Sequence, residues 1–161
     1  MESPDFMKEL GLLSSQESFI KPYGLSKSYT NEVMAVCVSR GISMGIDIEK
    51  KIKRSPETMK YFKEKFATFN IINTPLHLDE NWFYKAWTAM ESYFKLMGGG
   101  FGTNKNFALD LERKCIWSEG KEIAWIEHFI IGDLVICLCS NQMFLKDDLK
   151  IRTHGWEEED E

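Results

Sequence analysis

Gly45-Ile46-Asp47-Ile48-Glu49 is the stretch on which the reading of this chain turns, because it sets two carboxylates two residues apart inside a run that otherwise reads as buried strand. In an extended segment alternate side chains share a face, so Met44, Ile46 and Ile48 point one way and Asp47 and Glu49 the other. Neighbouring carboxylates resist joint ionisation unless a cation neutralises them, and a hard divalent ion with oxygen ligands answers that need. The alternative is a solvated strand end, at which Glu49 opens the polar run Glu49-Lys50-Lys51. Two carboxylates alone do not choose between the two.

Upstream, Val33-Met34-Ala35-Val36-Cys37-Val38 is a continuous apolar run of strand length, and Arg40-Gly41 reads as a turn. Ile42 to Glu49 then forms the next strand, which predicts a hairpin with the carboxylates toward its far end. Leu25-Ser26-Lys27-Ser28 reads as a small polar patch after the turn Lys21-Pro22-Tyr23-Gly24, and residues 1–20 as a short docked N-terminal segment.

Downstream, residues 57–70 carry Met59, Phe62, Phe66 and Phe69 at helical spacing, and Asn73-Thr74-Pro75 stops that helix. Asp79 or Asn81 caps a longer helix from Trp82 to Met97, closed by Gly98-Gly99-Gly100. At about 100° per residue, Trp82, Phe83, Ala86, Trp87, Met90, Tyr93, Phe94 and Met97 fall in one arc of roughly 140°, the predicted buried face. Glu91 and Lys95 lie just outside it, four residues apart. Phe107 to Leu111, Lys114 to Trp117, Ile123 to Ile131 and Leu134 to Cys139 read as strands, with Glu119-Gly120 and Gly132-Asp133 as turns. The fold class is α+β: an antiparallel meander sheet packed against a long central helix.

Composition bounds the rest. A chain of 161 residues, 43% hydrophobic and 13% aromatic, makes one domain with a real core, here expected over residues 21–145. The start Met1-Glu2-Ser3-Pro4-Asp5 lacks a signal-peptide pattern, and the best apolar run, Phe129 to Leu138, is broken by Gly132-Asp133. A cytoplasmic protein is expected, with no membrane and no nucleic acid among its partners. Cys37, Cys115, Cys137 and Cys139 lie in apolar or strand-like sequence and read as buried reduced thiols. The formal charge of −5 resides in Glu157-Glu158-Glu159-Asp160-Glu161, within a tail over residues 146–161 expected to be disordered, so residues 1–156 are neutral. Within that neutral body, Lys50 to Lys65 is locally basic, either a solvated surface or a face for an acidic partner or phosphate. The glycines after residue 97 lack the Lys-Ser/Thr of a P-loop, and His77, His128 and His154 show no catalytic spacing.

Trp87-Thr88-Ala89-Met90-Glu91-Ser92-Tyr93-Phe94-Lys95 on a helix ending in glycine, some forty residues after Gly45-Ile46-Asp47-Ile48-Glu49, resembles the signature of the 4′-phosphopantetheinyl transferases, in the Sfp-type branch. The resemblance spans residues 21–140 and implies that family's fold. It implies that Asp47, Glu49 and Glu91 bind magnesium (Mg2+) at the pyrophosphate of coenzyme A, and that Lys95 contacts the same phosphates. The implied acceptor is a serine of an acyl or peptidyl carrier protein, whose hydroxyl must lose its proton, and Glu91 or a metal-bound water is the candidate base. Ser26-Lys27-Ser28 stands where the family has Ser-His-Ser, and Lys21-Pro22 resembles the Lys-Pro before it, which implies that Lys21, Ser26 and Lys27 contact coenzyme A. Met90 departs from the lysine usual before the glutamate, and Lys27 from the histidine. Sfp-type enzymes pair two similar halves and the short holo-acyl-carrier-protein synthases oligomerise, so self-association as a homo-oligomer is expected of a chain this short.

Overall fold

The computed structural model describes residues 23–30, 33–67, 69–75, 79–99, 106–144 and 149. The expected segment 1–20, Lys21 and, apart from Leu149, the tail 146–161 lie outside these residues. The elements in chain order are β1 (Tyr23–Thr30), β2 (Val33–Arg40), β3 (Met44–Lys50), α1 (Pro56–Ala67), β4 (Asn70–Ile71), α2 (Glu80–Leu96), β5 (Ala108–Asp110), β6 (Cys115–Ser118), β7 (Lys121–Ile131) and β8 (Leu134–Ser140). The architecture is mixed α+β. Six strands form one sheet in the order β3-β8-β7-β6-β5-β4, and β1 and β2 form a separate antiparallel pair. Among the described residues of the larger sheet, β4 and β5 pair in parallel and the other neighbours antiparallel.

The meander β5 to β8 follows from its turns. Glu119 and Gly120 both take positive φ (51° and 75°), the twist that lets a two-residue loop join Ser118 to Lys121. Three expectations change. β3 does not form a hairpin with β2: it pairs with β8, Gly45 opposite Cys139, Asp47 opposite Cys137 and Glu49 opposite Val135. The presumed polar patch 25–28 is the middle of β1, paired with β2 through Ser26↔Cys37 and Ser28↔Ala35. Asn70 leaves the helix and starts β4.

The helix α2 begins where Asp79 accepts a hydrogen bond from Trp82 N–H (2.7 Å), satisfying one of the free donors of the first turn. It buries more than the predicted arc. Tyr84, Thr88 and Ser92 are fully enclosed beside Phe83, Ala86, Ala89, Met90, Tyr93 and Phe94, whereas Met97 at the C-cap is 55% exposed. The helix has cover on more than one side: the sheet beneath, Phe62 and Phe66 of α1 against Phe83 and Trp87, and Phe69 and Phe107 against Phe94. Fully burying a side chain such as Phe83, Met90 or Leu109 contributes about 2 kcal/mol. All four cysteines are buried and free. No described helix is long and apolar enough to cross a membrane.

Gly45 sets how closely the helix lies on the sheet. A Cβ there would collide with the Ser92 carbonyl oxygen and stand 2.6 Å from Leu96 N, both helix backbone. Backbone cannot rotate aside, so any side chain pushes the helix off β3. Gly45→Ala is therefore expected to lower unfolding stability by about 3 kcal/mol, read as a lower urea midpoint. A wild-type midpoint would refute this packing account.

Candidate active site

Three consecutive alternate positions of β3, at 45, 47 and 49, face α2, and on that face the strand's carboxylates meet the helix. Asp47 is 4% exposed, so the solvated-end reading fails for it. Its Oδ1 receives Lys95 Nζ at 2.7 Å and Ser28 Oγ at 2.9 Å, and Lys95 Nζ also donates to Ser28 Oγ at 2.8 Å. Strand, helix and β1 each supply one corner of this triangle. Asp47 Oδ2 is buried and has no hydrogen-bond partner among the described residues. Glu49 Oε1 accepts from Trp87 Nε1 at 3.1 Å, one helical turn before Glu91.

The electrostatics bind these groups into one site. Burial pushes the Asp47 carboxyl above its ordinary range, opposed by the hydrogen bond and charge of Lys95 and by the Ser28 hydroxyl. Burial and then the Asp47 charge raise Glu49, against the Trp87 hydrogen bond and the charges of Arg54 and Lys95. Glu91, half-buried, is raised by burial and by Asp47, with Lys95 opposing and Glu49 adding to the rise. Burial thus disfavours the ionisation of all three acids, and the Asp47 charge adds to that at Glu49 and Glu91. As the side chains are placed, no three His, Cys, Asp or Glu among the described residues form a group that encloses a metal ion.

Asp47 and Lys95 are in direct contact, Glu49 and Glu91 both feel the Asp47 charge, Ser26 lies on the same face of β1 as Ser28, and Lys27 lies on the other. Ser26 Oγ accepts from Ile46 N–H at 3.0 Å, capping a donor on the outer edge of β3. Lys27 follows the strand alternation onto the opposite, exposed side of β1. Lys21 lies outside the described residues. Two contributors went unread in the sequence: Ser28, hidden in a patch without apolar alternation, and Trp87, assigned to the core by its helical position.

Residues 43–139, more than half of the chain, match the 4′-phosphopantetheinyl transferase superfamily, and the chain belongs to that family. Transfer of phosphopantetheine from coenzyme A, in general terms, is what that membership supports. No match is found among curated proteins.

The Lys95–Asp47 pair yields a signed prediction. In Lys95→Met, Asp47 loses the ammonium that opposes its raised pKa, so its protonated form is favoured further in the folded state. Stability is then kept below the ordinary carboxylate pKa and lost as pH rises through the higher folded value. We expect a deficit on the order of 2 kcal/mol near neutral pH, tempered because Lys95 is partly exposed. The deficit should shrink toward pH 4 and be largely cured in Lys95→Met/Asp47→Asn. Urea unfolding at several pH values checks this, and a deficit independent of pH would refute it.

Proposed function

We propose that this protein is a magnesium-dependent transferase that moves the 4′-phosphopantetheine arm of coenzyme A onto a serine of an acyl or peptidyl carrier protein, releasing 3′,5′-ADP. The observation that supports it is the convergence of Asp47, Glu49, Glu91 and Lys95 where β3 lies on α2, inside the region that matches the family. A cytoplasmic location goes with this reading.

The donor set fits magnesium in its chemistry: three carboxylates, and a buried Asp47 oxygen that lacks a hydrogen bond to any described residue. Asp47, Glu49 and Glu91 would hold the ion, which when bound supplies positive charge at the pyrophosphate as 3′,5′-ADP departs. Lys95 keeps one N–H beyond those given to Asp47 and Ser28, and that proton is available to a phosphate oxygen. In the reaction the carrier serine oxygen bonds to the phosphorus that carries pantetheine, and the bond from that phosphorus to 3′,5′-ADP breaks. The serine proton passes to Glu91, whose raised pKa brings it closer to that of an effective base at neutral pH. Ser26, Lys27 and Lys21 are proposed toward coenzyme A on the family pattern alone.

The carrier's acidic surface would dock on α1, where Lys60, Lys63 and Lys65 are exposed while Phe62 and Phe66 turn inward. Self-association with a second copy belongs to the same reading. Met34, Ile130, Ile131 and Met143 are exposed hydrophobics, and Met34, Ile131 and Met143 line a cleft of about 480 Å3 between β2 and the sheet. A second reading, a relative that binds coenzyme A or a carrier without turnover, draws on Met90, which is fully buried and brings no cation.

Incubation with coenzyme A, magnesium and a panel of apo carrier proteins, followed by intact-mass measurement, tests the proposal. The expected result is a gain of one phosphopantetheine, abolished by chelation of magnesium and slowed at least about 100-fold in Glu91→Ala. Coenzyme A binding without any gain in mass would favour the second reading. Lys60→Glu/Lys63→Glu should raise KM for the carrier several-fold more than KM for coenzyme A, and equal effects on both would sink the docking surface.

A further inference from the structure

The segment 51–55, which carries the chain out of β3 toward α1, is pinned to α2 by a single phenol. Tyr84 is fully buried. Its hydroxyl donates to the Ile52 carbonyl (3.1 Å) and accepts from Ile52 N–H (3.0 Å) and from Arg54 Nε (3.1 Å). A phenol has one proton to give and two lone pairs, so these three bonds use its whole capacity. The Arg54 guanidinium also lies over the Tyr84 ring, 5.8 Å from its centroid, and the Arg54 backbone N–H reaches Glu80 Oε1 at 3.3 Å. A side chain with this much rotamer freedom is ordinarily left loose. Here its main chain, its Nε edge and its ring-facing plane are all fixed.

What remains of the guanidinium is its fork of two terminal nitrogens, neither of which makes a hydrogen bond to a described residue. Arg54 lines a cleft of about 420 Å3 together with Glu49, Lys50, Thr30 and Asp133. Lys50 and Asp133 approach each other at 3.9 Å, so much of their charge is answered within the cleft. Arg54 and Glu49 form no ion pair with each other. An arginine held rigid beside a carboxylate with which it forms no ion pair presents a planar pair of donors of the kind that matches phosphate oxygens. Lys95, the cation that α2 contributes to the site, gives two of its three N–H groups to Asp47 and Ser28, and Met90 brings no cation, so an anionic substrate at Glu49 has use for a second one.

We propose that Arg54 binds a pyrophosphate oxygen of coenzyme A beside Glu49, and that Tyr84 is the positioning residue that aims its guanidinium. This rests on the transferase reading above. The closing experiment is steady-state kinetics and calorimetric binding with coenzyme A and with dephospho-coenzyme A, which keeps the pyrophosphate and lacks the 3′-phosphate. Arg54→Met should weaken Kd and raise KM about tenfold for both ligands alike, leave KM for the carrier unchanged, and be partly rescued in Arg54→Lys. Tyr84→Phe keeps the ring and the core; it should raise KM for both ligands about threefold, since Arg54 keeps its charge but loses its aim. An effect confined to coenzyme A would move the contact to the 3′-phosphate and overturn the proposal, as would unchanged values for both ligands. If the wild-type protein turns over and Arg54→Met matches it, this inference alone fails. If the wild type neither transfers nor binds coenzyme A, the transferase reading fails and takes the inference with it.

Discussion

Backbone contact between β3 and α2 at Gly45 is the constraint on which the rest of the molecule depends. With no side chain between them, the strand and the helix run side by side along matched lengths. Four steps along the strand cover about 13 Å, and the eight steps along the helix from Trp87 to Lys95 cover about 12 Å. Gly45 therefore lies against Ser92 and Leu96, while Glu49, four residues on, reaches Trp87, nearer the other end of the helix. Asp47 falls between them and meets Lys95. One glycine thus fixes which acids of the strand face which residues of the helix.

That arrangement is not what holds the protein together. Placing three carboxylates where burial raises their pKa values, and where the Asp47 charge raises Glu49 and Glu91 further, works against folding, and a partly buried lysine pairing with one of them offsets only a portion of the desolvation. The stabilising work falls to the aromatic layer behind the site. Phe62, Phe66, Phe83 and Trp87 pack as one group, and Phe69, Tyr93, Phe94 and Phe107 as another, with centroid separations of 4.8 to 6.3 Å. Trp87 belongs to both roles, its ring in the core and its N–H on Glu49.

What was legible in the sequence was local. The alternation in 44–49, a cap at Asp79 or Asn81, the two turns of the meander and the helical spacing of Phe62 and Phe66 each depend on neighbours within a few residues and are borne out, Asp79 being the cap, whereas Phe69 falls past the end of α1. The pairing of β3 with β8 joins residues about ninety positions apart, and no local pattern encodes that choice over the nearby β2. β1 was missed because its inward residues are Ser26 and Ser28, which serve β3 and Asp47 through hydroxyls, so the apolar alternation that marks a strand is absent. The same alternation turns Lys27 outward, away from the group that a linear motif places it with. Tyr84, Thr88 and Ser92 were left off the buried face because an amphipathic arc assumes one packed side, and α2 has several.

Position 90 shows how the core limits where counter-charge can come from. The side chain there is fully buried between α2 and its neighbours, next in sequence to a glutamate that still reaches the site. A lysine in that place would have to carry its ammonium from an apolar interior to the edge of the helix, at a desolvation cost that methionine avoids. The acids then draw positive charge from positions that reach the site without crossing the core. Lys95 stands one turn further along the helix, and Arg54 comes in from the loop, held by the Tyr84 phenol. The carboxylates of this chain are laid out by strand and helix together, whereas its cations are admitted only at the rim, where packing leaves room for them.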